Sequence, residues 1–187
     1  MDEEVIHHFT SDQKLQWWGY GEWVEEPDEV NFDHMGLHCK VIRVSAEEPY
    51  AKKFHMFGGY LCGYVKIPEF HPFYGKKDIF NFDIDVHGGI TCCSDSLFEG
   101  YWIGFDCAHS NDSVPSMEKL RKTLPELKEM DQRRKNLFEQ FKLDSIDSIW
   151  NQTYKNIEFV KAQCKSMAKQ VKQAETAAPL VEETPKD

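Results

Sequence analysis

Four stretches of the chain carry the apolar density of β-strands, and one late stretch carries the three-and-four spacing of an amphipathic helix. The strand-like runs are residues 37–44, 60–67, 80–93 and 101–107, punctuated by Gly58-Gly59, Pro68 and Gly88-Gly89. No helix of ordinary length fits between them, which favours antiparallel pairing. In the third run Phe82, Ile84 and Val86 alternate with Asp83, Asp85 and His87. The two-residue period of a strand sends the first set into a core and the second onto one polar face. The fourth run, Tyr101 to Cys107, is apolar on both faces until Asp106, as expected of a central strand.

From residue 146 the period changes. Ile149, Trp150, Thr153, Ile157, Val160, Cys164, Met167 and Val171 recur at three and four, so a long helix is expected to lay a wide stripe on the sheet, with Asp144 or Ser145 capping its start. Ahead of it, residues 116–147 read as a solvated helical excursion that begins near Pro115 and breaks at Pro125. The first 35 residues mix Trp17, Trp18, Tyr20 and Trp23 with acids and suggest a short helix and an edge strand around 21–24. Residues 176–187 have the Pro/Ala/Glu composition of a disordered tail. The expected fold is a single α+β domain over residues 1–175: a curved, mainly antiparallel sheet with a long C-terminal helix packed on one face.

Composition narrows the function. With 41% hydrophobic and 13% aromatic residues, the chain of 187 residues has ample surface to bury. A formal net charge of −10 argues against coating an extended nucleic acid, while leaving a small anion held by local donors open. The six cysteines form no CxxC pair and mostly sit in apolar runs, as buried thiols of a reducing, cytoplasmic compartment do. The start is acidic and lacks an apolar segment, and nowhere do about 18 apolar residues run together, so no membrane association is expected.

Two clusters bear chemistry. Asp83-x-Asp85-x-His87-Gly88-Gly89 places three polar groups on one face before two glycines, whose amides suit a phosphoryl oxygen. The second, Asp106-Cys107-Ala108-His109-Ser110-Asn111-Asp112, ends the fourth strand in an Asp and a His. An acid in so apolar a strand needs a partner, and an Asp106–His87 dyad would orient the imidazole for proton transfer, with His109 as the opposite donor. Asp83 and Asp85 are the carboxylates for a divalent metal, should one be used. His71 and Tyr74, beside Lys76-Lys77, form an aromatic loop suited to a nucleobase, and Trp102 offers a stacking surface. The plainer alternatives are a tight turn at Gly88-Gly89, a local turn capped by Asp106, an exposed His109, and an ordinary Pro/Gly loop at 71–75. Phosphate-loop, nucleophile-elbow, dinucleotide-fingerprint and HExxH motifs are absent.

The segments Tyr60-Leu-Cys-Gly-Tyr-Val65, His71-Pro-Phe-Tyr-Gly75, Val86-His-Gly-Gly-Ile-Thr91 and Trp102-Ile-Gly-Phe-Asp-Cys-Ala-His109 resemble a small family found in bacteria, prophages and phages. The likeness also takes in residues 36–43 and 154–170, and covers most of 20–112 and 150–171. Against that pattern residues 116–147 look like an insertion, and Ser110-Asn111 stands where an Ala/Gly-like step often follows the histidine. The resemblance places a site and supplies no reaction, while the phage association favours small nucleotides, immune second messengers among them. The expected activity is hydrolysis of a phosphoester in a small nucleotide, cyclic ones included, by His87, Asp106 and His109, with Gly88, Gly89, His71, Tyr74 and Trp102 binding the ligand. The alternatives are a protein that sequesters such a ligand unchanged, or a structural interaction protein, which would form a homo-oligomer.

Overall fold

A computed structural model describes residues 3–46, 58–78, 82–141 and 152–177. In chain order the elements are β1 (Glu4–Ile6), α1 (Ser11–Trp18), β2 (Glu29–His34), β3 (Leu37–Arg43), β4 (Leu61–Ile67), β5 (Cys92–Ser94), β6 (Tyr101–Asp106), α2 (Pro115–Thr123), α3 (Pro125–Phe141) and α4 (Ile157–Ala177). The six strands form one open sheet in the order β1-β2-β3-β4-β6-β5, antiparallel at every pairing. The fold is α+β, with α4 packed on one face of the sheet.

Alternation explains why the strands sit as they do. Leu37, Cys39, Val41 and Arg43 of β3, Leu61, Val65 and Ile67 of β4, and Tyr101, Ile103 and Phe105 of β6 are all buried. With the exception of Arg43 they form one core with Ile157, Val160, Cys164, Met167, Ala168 and Val171 of α4. Asn156 starts α4: its Oδ1 accepts the Phe159 N–H at 3.0 Å, satisfying a donor that has no partner within the helix.

Arg43 ends the inward series of β3 and anchors a polar network. Its Nε lies 3.1 Å from Asp28 Oδ1, its guanidinium also pairs with Glu26 at 2.8 Å, and it donates to the Tyr154 hydroxyl at 2.7 Å. Lys14, fully buried on α1, reaches the same Asp28 carboxylate at 2.9 Å, and the His8 and Phe9 amides supply its other oxygen at 3.0 Å each. Every charge here meets an opposite one, the condition for tolerating burial. The network also fixes Tyr154, and with it the chain leading into α4.

Three expectations are corrected. The edge strand placed at 21–24 is a 3-10 turn, Glu22–Val24, that buries Trp23; the edges are supplied by β1 and β5. Residues 82–86 belong to no strand and His87 opens a turn, yet the alternation is kept, with Phe82, Ile84 and Val86 buried and Asp83 and Asp85 exposed. Gln170 of α4 instead donates to the Asp85 carbonyl and accepts its N–H, both at 2.7 Å, and Gln163 accepts the His87 N–H at 3.0 Å. Helix α4 opens at Ile157, so Thr153 lies in an extended segment before it. Ile149, Trp150 and the proposed caps at Asp144 and Ser145 lie outside the described residues. Helices α2 and α3 divide at Leu124-Pro125 as expected, since a proline has no N–H for the preceding helix. α4 runs on through Ala177, past the start of the expected tail, whose remainder, residues 178–187, lies outside the described residues. No helix among the described residues is long and apolar enough to cross a membrane.

Candidate functional site

Three segments meet where β6 ends. The stretch 82–87 delivers His87, the turn after β6 delivers His109 and Asp112, and the approach to α4 delivers Thr153 and Lys155. The turn is closed by the Asp112 N–H donating to the His109 carbonyl at 2.9 Å. A parallel bridge between Asp112 and Thr153 then ties the turn to the approach, with Ser113 N–H donating to the Thr153 carbonyl at 3.0 Å.

At the centre is the Asp112 carboxylate, its side chain 0% exposed. His87 Nε2 lies 3.0 and 2.9 Å from its two oxygens. His109 approaches Oδ2 twice, through its backbone N–H at 2.9 Å and ring Nδ1 at 3.2 Å. Lys155 Nζ stands 3.8 Å from Oδ1, held by the Thr153 hydroxyl and over the Phe159 ring. A buried carboxylate is tolerated only with such partners, and these hold it between two imidazoles. The two rings are perpendicular, with centroids 5.3 Å apart, and Phe159 packs edge-on against His87. Both histidines retain partial solvent exposure, 20% and 31% of their side chains. Each has one ring nitrogen on Asp112; among the described residues, His87 Nδ1 and His109 Nε2 have no hydrogen-bond partner.

Gly88 makes the arrangement possible. A Cβ built on it would fall 2.0 Å from His109 Cε1 and 2.1 Å from Nε2, and its φ of +70° lies in the left-handed region that favours glycine. Gly89, at φ +80°, has its N–H committed to the Val86 carbonyl at 2.9 Å, so that amide is not free for a ligand.

His87 and His109 therefore come together, but the carboxylate between them is Asp112 and not Asp106. Asp106 turns away and accepts the Ala108 N–H at 3.0 Å, capping the local turn. Asp83 and Asp85 are exposed and lie outside the cluster of metal-competent donors, which among the described residues comprises His87, His109 and Asp112. His71 is a core residue: Nδ1 accepts the Phe73 N–H at 3.0 Å, so Nε2 carries the proton and donates to the Val171 carbonyl at 2.9 Å. Trp102 is 3% exposed under Phe98 and His38, with its indole N–H given to the Glu99 carbonyl at 3.1 Å. Tyr74 is 39% exposed and packs by Tyr101, at the far end of β6, roughly 17 Å of strand from His109. There it lines a cavity of about 450 Å³ with His38, Lys66, Glu69 and Glu99.

Asp112, Thr153 and Lys155 are the residues sequence reasoning missed. The i, i+3 spacing of His109 and Asp112, across which an Asp readily accepts a nearby backbone N–H, was the available signal. Thr153 was absorbed into the helical stripe, and Lys155 lay between its positions. No family model, no curated protein and no solved structure matches this chain.

Proposed function

We propose that the His87–Asp112–His109 cluster is the working site of a hydrolase that cleaves a phosphoester in a small, nucleotide-like ligand. One observation carries this: a single buried carboxylate holds two partly exposed imidazoles 5.3 Å apart, each with its second nitrogen off the carboxylate. Asp112 keeps both rings in one tautomer and stabilises either as imidazolium. The working form of the site is the one in which one imidazole carries an extra proton and the other does not. The neutral ring takes a proton from water as its oxygen attacks phosphorus, and the charged ring gives one to the departing oxygen. Proton count is conserved, and reversal of the roles resets the site. Lys155 supplies positive charge for the phosphoryl oxygens, a stabilisation that grows as charge develops there. The Gly88 N–H is the remaining backbone donor on that side. The motifs behind the phage-family resemblance, Val86–Thr91 and Trp102–His109, contain the two histidines.

The experiment incubates the full chain with linear and cyclic nucleotides and separates products chromatographically, alongside His87→Ala, His109→Ala and Asp112→Asn. Turnover that falls by about a hundredfold or more in each variant is expected. Intact nucleotides under all conditions would refute hydrolysis. A melting shift with the ligand recovered unchanged would replace it by sequestration.

A further inference from the structure

The three atoms that converge on one another are a carboxylate oxygen and two imidazole nitrogens, and that donor set has a second use. We propose that His87 Nε2, His109 Nδ1 and Asp112 form a site for a divalent transition ion of the Zn²⁺ class, which takes both imidazoles out of acid–base use when it binds. The site stands whether or not the chain hydrolyses anything; only its inhibitory consequence rests on the hydrolase reading.

Geometry supports the assignment. Zn²⁺ bonds imidazole and carboxylate at about 2.0–2.1 Å, so adjacent donors of a bound ion sit roughly 2.9–3.4 Å apart. The two imidazole–carboxylate separations are already 2.9 and 3.2 Å. The three donors lie within 4.8 Å of one another, so the last edge closes if one ring moves by no more than roughly 1.5 Å. His109, with 31% of its side chain in solvent, is the ring free to make that move. Two nitrogens and one oxygen select borderline ions over Mg²⁺ or Ca²⁺, which want oxygen alone. Three protein ligands leave a fourth position for water. The backbone around the donors is anchored: Gln163 accepts the His87 N–H at 3.0 Å, and the His109 N–H fixes Asp112 Oδ2 at 2.9 Å.

The consequence follows from proton placement. A nitrogen that ligates the ion gives up its proton, so each neutral imidazole must carry it on the outer nitrogen, His87 Nδ1 or His109 Nε2. Neither ring then has a basic nitrogen facing substrate. Lys155, 3.8 Å from Asp112 Oδ1, opposes the ion by its charge and sets the affinity below that of a bare triad.

The test titrates chelator-treated full chain with Zn²⁺ by calorimetry and with Co²⁺ by visible absorption. One ion per chain and a four-coordinate Co²⁺ spectrum are expected. Binding should weaken by at least about a hundredfold in His87→Ala, His109→Ala and Asp112→Asn, and tighten by about tenfold in Lys155→Met. Nitrogen NMR of the Zn²⁺-loaded chain should place the ring protons on His87 Nδ1 and His109 Nε2. The partly exposed His87 makes H87A the variant to read should D112N unfold. Absence of saturable binding, or binding that survives all three ligand variants, overturns the site; ring protons left on the inner nitrogens overturn the blocking role. Lack of hydrolytic products bears on the proposed function alone.

Discussion

Replacing Gly88 and Gly89 separately by alanine isolates the requirement that His109 places on its neighbour. Both glycines have positive φ, +70° and +80°, so each substitution carries the left-handed strain of an L residue, about 1 kcal/mol. They differ in what the new methyl meets. At Gly89 nothing described lies within 4 Å, whereas at Gly88 it would stand 2.0 Å from the His109 ring, well inside contact distance. The ring must swing outward, and with it goes the 3.2 Å bond to Asp112. A hydrogen bond to a charged group contributes about 1.5–3 kcal/mol, less at a partly exposed ring, so a further 1–2 kcal/mol is expected for Gly88→Ala. The variants should therefore lose about 2–3 and about 1 kcal/mol respectively in urea unfolding. The His109 ring resonances should move only in Gly88→Ala, which should also lose hydrolysis and Zn²⁺ binding while Gly89→Ala retains both. Identical behaviour of the two variants, with His109 resonances unmoved in each, would refute the packing argument.

Two predictions concern the polar framework. Arg43→Met leaves Glu26 and half of Asp28 without their buried counter-charge; because Lys14 remains on Asp28, a loss of about 3 kcal/mol in urea unfolding is expected, at the lower end for broken buried pairs. A loss under 1 kcal/mol would mean that the network carries little of the fold. At Glu29 burial pushes the carboxyl up, but hydrogen bonds from Lys40, His8 and Asn31 together outweigh it and bring the carboxyl down to about 2. A depressed folded-state value means stability that is present above the unfolded carboxyl range, near 4.3, and lost as pH falls toward 2, amounting to about 1 kcal/mol after solvent screening. Glu29→Gln should flatten that part of the stability–pH curve, and an unchanged slope between pH 4.5 and 2 would contradict the assignment.

The thiols follow the same logic without an active role. Burial pushes Cys39 and Cys62 up to about 12 and raises Cys107 and Cys164 as well, so these four are neutral packing groups. That agrees with their place in apolar runs and separates them from the chemistry at Asp112, although Cys107 is only a few residues away.

The order of apolar runs was enough to locate β3, β4 and β6, the division between α2 and α3, and the two imidazoles, because burial periodicity is written residue by residue. It also placed Phe82, Ile84 and Val86 inward and Asp83 and Asp85 outward, which proved true of a segment that belongs to no strand. Alternation reports which side chains leave water; it does not say what satisfies the backbone, and Gln163 and Gln170 lie far along the chain on α4. The carboxylate between the histidines was decided the same way. Asp106 and Asp112 are equally legible acids near His109, and only the bridge to Thr153, formed once α4 docks on the sheet, turns one of them inward between the rings. Local pattern thus determined what is buried, and tertiary contact determined which polar groups meet, since a hydrogen bond depends on position in space to within a few tenths of an ångström.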